Sequence, residues 1–126
     1  MRLDDYTLVQ STFNLNKVPE KSLGISQKYR TEMLRQQEDN RMLMIQSTLF
    51  TIKEDADLIA ELLLKYFIVI EDVVDINDEG VEDFVFERMQ YVYISQANEF
   101  LVPAHLPPLY KENVSAPIKS EPLEKK

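Results

Sequence analysis

The sequence predicts a mainly α fold: a small helical bundle of about three helices over residues 23–102, flanked by an extended N-terminal arm (1–22) and a Pro-rich, extended or disordered C-terminal tail (103–126). Three observations predict it. Apolar residues recur at three- and four-residue spacings from about Gln27 to Phe100; five of the six prolines lie beyond residue 102; and residues 54–102 are at once the most acidic and the most hydrophobic stretch, with thirteen acids against two bases. A segment that greasy can offset the entropy of ordering itself, and its acids can form the wet surface. At 126 residues and 44% hydrophobic content the chain has material for one domain with one modest core.

Met1 to Pro19 is mixed and polar, and the alternation Phe13-Asn14-Leu15-Asn16 suits an extended strand, so this part reads as an arm. From Gln27, Met33 or Leu34, Met42, Ile45, Leu49 and Ile52 share one helical side, with Arg30, Glu32, Arg35 and Glu38 on the other and a possible break near Asp39-Asn40. Asp55 then precedes Leu58, Ile59, Leu62, Leu63, Tyr66, Phe67 and Ile70, a broad stripe that predicts a second helix ending near Val74. The β-branched run Phe67 to Ile70 leaves a strand possible at its end. Leu58 to Ile70 is almost wholly apolar, but a helix of that length spans only about 20 Å against a hydrocarbon core of about 30 Å, and Glu61 and Lys65 interrupt it. It reads as a buried helix rather than a membrane span.

Asp75 to Gly80 is rich in turn formers and reads as a loop before a third helix, Val81 to Phe100. One face of that helix carries Val81, Val85, Met89 and Val92, another Phe86, Tyr93, Ala97 and Phe100. Two apolar faces need two neighbours, either both within the domain or one from another chain. The residues singled out for protein binding are Phe86, Tyr93 and Phe100 on the second face, with Pro107, Pro108 and Tyr110 in the tail.

The chemistry the chain can carry is narrow. There is no cysteine, so disulfides, thiolate metal sites and a cysteine nucleophile are excluded, and a reducing compartment or a virus assembled in one fits best. No basic region followed by an apolar stretch opens the chain, so no secretory signal is read. Asp75-Ile76-Asn77-Asp78-Glu79-Gly80 opens like a calcium loop, yet Phe86 stands where the bidentate glutamate belongs and Glu82 where an apolar residue does. The single histidine, His105, lies in the Pro-rich tail, and Gly24 and Gly80 stand too far apart for a phosphate-cradling loop. No catalytic residue, metal, cofactor or small-molecule substrate is expected. A net charge of −8 argues against direct nucleic-acid binding. Pro107-Pro108-Leu109-Tyr110 has the P-P-x-Y form that WW domains bind, in which the prolines preset a polyproline II helix. Ile118-Lys119-Ser120-Glu121 matches a loose modification-site form built from common residue types.

The order Lys28-Tyr29-Arg30, then Gln36-Gln37-Glu38-Asp39-Asn40-Arg41 leading into Met42-Leu43-Met44-Ile45, then an acidic start to the second helix, resembles the layout of T4-type phage baseplate hub assembly proteins. The likeness runs on to Val81-Glu82-Asp83-Phe84-Val85-Phe86-Glu87-Arg88-Met89 and covers about residues 28–100. It implies a non-enzymatic tail or baseplate assembly protein or minor structural component in the host cytoplasm or virion, with other protein subunits as partners. Two further readings stand beside it: an acidic inhibitor imitating the charge of DNA, and a eukaryotic adaptor presenting Pro107 to Tyr110 to a WW domain.

Overall fold

The segments with apolar residues at mixed spacings are long strands. The computed structural model describes residues 1–74 and 76–120 and contains β1 (Arg2–Leu15), β2 (Gly24–Gln36), β3 (Met42–Glu54), β4 (Asp57–Glu71), the helix α1 (Asp78–Leu101) and a short β5 (Ile118–Lys119). They form one mixed sheet of five strands in the order β1-β4-β3-β2-β5. The expectation of a mainly α, three-helix bundle is therefore corrected: the two helices expected over 27–74 are β2, β3 and β4, and only the third, α1, is an α-helix among the described residues.

The physical reason lies in side-chain pattern and turns. β3 and β4 are apolar on both faces, so the period-two signal is lost, and adjacent pairs such as Leu62-Leu63 and Tyr66-Phe67 imitate a helical stripe. The turns decide against a helix. Asp39 (φ 60) and Asn40 (φ 57) are the central residues of a hairpin turn, closed where the Arg41 N–H donates to the Glu38 carbonyl at 3.3 Å. Two successive left-handed residues are what a right-twisted hairpin needs, and Asp and Asn tolerate them. Between the paired residues Glu54 and Asp57 the turn has one left-handed residue, Asp55 (φ 54).

The expected arm is a full edge strand, paired with β4 from Arg2↔Glu71 to Leu15↔Ala60, with irregularities at Asp4 and Val9. The described part of the tail packs on the domain: Leu106 and Leu109 are buried, and β5 runs parallel to β2 through Lys28↔Ile118 and Tyr29↔Lys119. Pro122, the Lys- and Glu-rich end and the last residue of Ile118-Lys119-Ser120-Glu121 lie outside the described residues.

α1 starts where Asn77 accepts a hydrogen bond from the Gly80 N–H at 2.8 Å, with Asp78 and Glu79 in the first turn at the positive end of the helix dipole. That cap occupies the oxygen the calcium pattern assigned to its third position; Asp75, its first, lies outside the described residues. The helix then crosses the sheet from β2 to β1. Phe86 stacks on Tyr29 with ring centroids 3.6 Å apart, Tyr93 sits 5.6 Å from Tyr66, and Phe100 lies 6.1 Å from Phe13. Between these contacts Met44, Phe50, Leu62, Leu64, Ile68 and Ile70 of the sheet are sealed against Val81, Val85, Met89 and Ala97. Two polar ties fix the helix in place. The Tyr93 hydroxyl donates to Gln46 Oε1 at 2.5 Å, and the amides of Gln27 and Gln90 exchange hydrogen bonds at 2.8 and 2.6 Å.

β1 and β2 lie on opposite sides of the β4-β3 pair, so residues 16–23 must cross the strand ends. Glu54 anchors that crossing. Its Oε2 accepts from the backbone N–H groups of Glu20 and Lys21 at 2.6 Å each, and Lys17 Nζ stands 3.6 Å from its other oxygen. The two backbone hydrogen bonds, then the Lys17 charge, hold the carboxyl below its ordinary 4.5 in spite of desolvation. A lowered folded-state value stabilises the fold above the unfolded value and ceases to do so as pH falls through the folded one. The stability gap between the wild type and Glu54→Gln, followed by chemical denaturation, is therefore expected to be constant at neutral pH and to shrink below pH 4.5; a gap independent of pH would remove Glu54 as the anchor.

Candidate protein-binding site

One face of the sheet is covered by α1 and the tail; the other is covered by nothing among the described residues. Strand alternation puts Met44, Gln46, Thr48 and Phe50 of β3 beneath the helix and Leu43, Ile45, Ser47 and Leu49 on the open side. On β4, Leu62, Leu64, Tyr66 and Ile68 face the helix, and Leu63, Lys65, Phe67 and Val69 face outward. Register brings the outward residues together in rows across the sheet. Leu49 lies opposite Leu63, Ile45 opposite Phe67, and Leu43 opposite Val69, with Met33 of β2 extending the Ile45 row. These six residues and Met33 are each half-buried, shielded by one another rather than by the core. A contiguous apolar surface with polar surroundings marks an interaction site far more often than scattered exposed leucines do.

The fourth row is polar. Ser47 lies opposite Lys65, whose ammonium is 2.8 Å from Glu32 Oε1. Burial alone would raise the Glu32 carboxyl, but hydrogen bonds from Lys65 and Ser47 and the charges of Lys65 and Arg30 outweigh it and hold it below the ordinary range. The Lys65–Glu32 pair divides the apolar surface into a Leu49-Leu63 part and an Ile45-Phe67-Leu43-Val69 part. β1 contributes Asp5, Thr7, Gln10 and Thr12 to the same rows, so the apolar surface ends at β4. On the β2 side a hollow of about 220 Å³ is lined by Lys28, Arg30, Ser47, Leu49, Leu63 and Ser120.

The residues expected to bind partners fall on the opposite side of the molecule. Phe86 and Tyr93 are in the core, where they attach α1 to the sheet, and Phe100 is half-buried beside Phe13. Both apolar sides of α1 are thus satisfied within the domain. In the tail, Pro107 and Tyr110 are exposed and Pro108 half-buried, but Leu109 between them is buried and its backbone is held at both ends by Asn98, which donates to its carbonyl at 3.1 Å and accepts from its N–H at 2.7 Å. Pro107 to Tyr110 is thereby fastened along α1. Between helix and tail run two joined clefts of about 510 and 340 Å³ that share Glu87, Gln90 and Lys111.

The open-face residues escaped sequence reasoning because each lies next to a core residue and was counted with it. Leu43, Leu63 and Phe67 look like core until the strand period is known. No protein-family pattern and no curated relative matches the chain. Among solved structures it is similar to a SecB-like chaperone of Mycobacterium tuberculosis, in complex with a ChAD peptide from the HigA1 antitoxin, with a TM-score of 0.65 and 14% sequence identity over 93% of this chain and 92% of that one. At that identity the likeness is one of fold.

Burial pushes the Tyr93 phenol well above its ordinary value, which keeps the hydroxyl a donor to Gln46. Tyr93→Phe keeps the ring but leaves Gln46 Oε1 buried without a donor, which is expected to lower stability by about 1–3 kcal/mol in urea unfolding. An unchanged midpoint with lost partner binding would instead return Tyr93 to the role the sequence suggested.

Proposed function

We propose that this chain is a non-enzymatic receptor for extended, apolar segments of partner proteins, working as a chaperone or assembly factor does, and that the open face of the sheet is where the segment lies. The observation that carries the reading is the set of cross-strand apolar pairs Leu49-Leu63, Ile45-Phe67 and Leu43-Val69 left without a covering element. The fold likeness to a chaperone solved with a peptide supports it. So does the chain's own tail, which is taken up as a strand at the edge of β2. Covering six half-buried side chains gains on the order of 1 kcal/mol each, against a cost of association of about 4–15 kcal/mol. Such a surface suits reversible holding, helped by backbone pairing, rather than a permanent complex. Nothing in this role requires a bond to be made or broken.

The tail or baseplate setting implied by the resemblance over about residues 28–100 is the finer form of this reading, with a nascent tail component as the held partner. Affinity capture from infected cells followed by mass spectrometry tests it, and recovery of partners unrelated to a virion would set that setting aside. For the receptor itself, Ile45→Thr with Phe67→Thr keeps β-branched or strand-compatible residues while removing the centre of the apolar surface. The double variant is expected to melt within a few degrees of the wild type and to lose the ability to keep an unfolded reporter protein from aggregating, read by light scattering. Full activity in that variant would place the binding surface elsewhere.

A further inference from the structure

The flank of the open face that runs along β2 is basic, on a protein whose net charge is −8. Lys28 extends the Leu49-Leu63 row, Arg30 the Ser47-Lys65 row and Arg35 the Leu43-Val69 row, with Met33 in the row between Arg30 and Arg35. None of these three cations takes part in an ion pair among the described residues; Lys53, Arg88 and Lys111 share that state, whereas Arg2, Lys17, Lys21, Arg41, Lys65 and Lys119 are paired. Glu32, the nearest acid on the same strand, is committed to Lys65. What sets Lys28, Arg30 and Arg35 apart is their place: three cations without an ion pair lie on one side of one strand, beside an apolar surface.

We propose that the partner segment held on the open face is acidic as well as apolar, with carboxylates seated on Lys28, Arg30 and Arg35. This deepens the receptor reading above and rests on it. The rows are spaced by two strand residues, about 6.6–6.8 Å, which is also the spacing of alternate side chains in an extended partner. A segment lying along β2 would set acids at alternate positions against Lys28 and Arg30, an apolar residue against Met33 and a further acid against Arg35. Its remaining apolar side chains would reach inward to the Leu49-Leu63 and Ile45-Phe67 pairs. The hollow of about 220 Å³ formed by Lys28, Arg30, Leu49 and Leu63 offers the same combination, a cationic rim over an apolar floor. Repulsion from the acids elsewhere on the molecule falls off over a Debye length of about 10 Å, so the local cations govern a short segment. A nucleic acid would have no use for the apolar centre, and its long run of phosphates would meet the overall negative charge.

The test is fluorescence anisotropy on the full chain at low ionic strength, with two labelled extended peptides that share their apolar residues and carry either Glu or Lys at the alternate positions. The Glu peptide is expected to bind at least about tenfold tighter, the preference is expected to narrow as salt is raised, and Lys28→Glu with Arg35→Glu, at two exposed positions, is expected to abolish or reverse it without changing the melting temperature. Equal binding, or tighter binding of the Lys peptide, overturns the charge assignment while leaving the receptor reading standing. Binding of neither peptide overturns both. Tighter binding of a single-stranded oligonucleotide than of the Glu peptide overturns the assignment in favour of a polyanion site.

Discussion

A sheet has two faces, and this chain supplies one long helix to cover them. α1, with its 24 residues, is long enough to cross all four long strands, and it does so from Tyr29 on β2 to Phe13 on β1. The segment that follows it turns back along the helix, buries Leu106 and Leu109, and pairs with the edge of β2 through Ile118 and Lys119. Every covering element among the described residues is thereby spent on one side. The other side keeps apolar residues that a finished two-layer domain would have replaced with polar ones. The open face follows from that shortage of cover, and the proposed function follows from the open face.

Position matters as much as cover, because an apolar helix on an apolar sheet can slide. Tyr93 to Gln46 and the reciprocal Gln27 and Gln90 amides are buried polar contacts that only one placement satisfies. Shifting the helix would strand several donors and acceptors in the core at a cost of about 1–3 kcal/mol each. The same economy governs the edges. β2 takes up β5, with the Ser120 N–H donating to the Tyr29 carbonyl at 2.7 Å and Lys119 reaching Asp83 at 3.2 Å. β1 has no partner on its outer side among the described residues, and its irregular register near Asp4 and Val9, together with its charged side chains, makes it a poor template for indiscriminate pairing.

How much of this could be read beforehand is argued best from β4. The apolar stretch Leu58 to Ile70 reads as buried throughout, which holds for Leu62, Leu64, Tyr66, Ile68 and Ile70 and not for the outward-facing Leu63, Phe67 and Val69, and α1 lies within a few residues of its expected bounds. The class of fold was missed because a strand that is apolar on both faces has no period of two to detect. The turns held the correcting information: Asp39-Asn40 and Asp55-Ala56 sit between apolar runs of thirteen to fifteen residues, the spacing of hairpins rather than of helix breaks. Phe86 and Tyr93 were chosen because they are aromatic and share a helical face; aromatic residues serve cores and interfaces alike, and only the sheet beneath them decides which. The anomaly that hides the strands is itself what the proposed function rests on. Leu63, Phe67 and Val69 spoil the alternation because they face outward and are nonetheless apolar.

Net charge, read as one number, points the wrong way for a surface this uneven. Thirteen acids between residues 54 and 102 suggest a molecule that repels other acids, and at a distance it does. Folding redistributes them. Glu54, Asp57, Glu71 and Asp83 are drawn into ion pairs, and Asp78 and Glu79 sit at the start of a helix whose dipole favours them. β2 meanwhile gathers Lys28, Arg30 and Arg35 onto one side of one strand by nothing more than alternation and a single bulge after Thr31. Without that bulge the parity of the strand would be unbroken, and Arg35 would point toward the helix side with Tyr29 and Thr31. The extra residue restores Arg35 to the open face and turns Leu34 inward toward Met44. One inserted position thus lengthens the basic flank and completes the core in the same step.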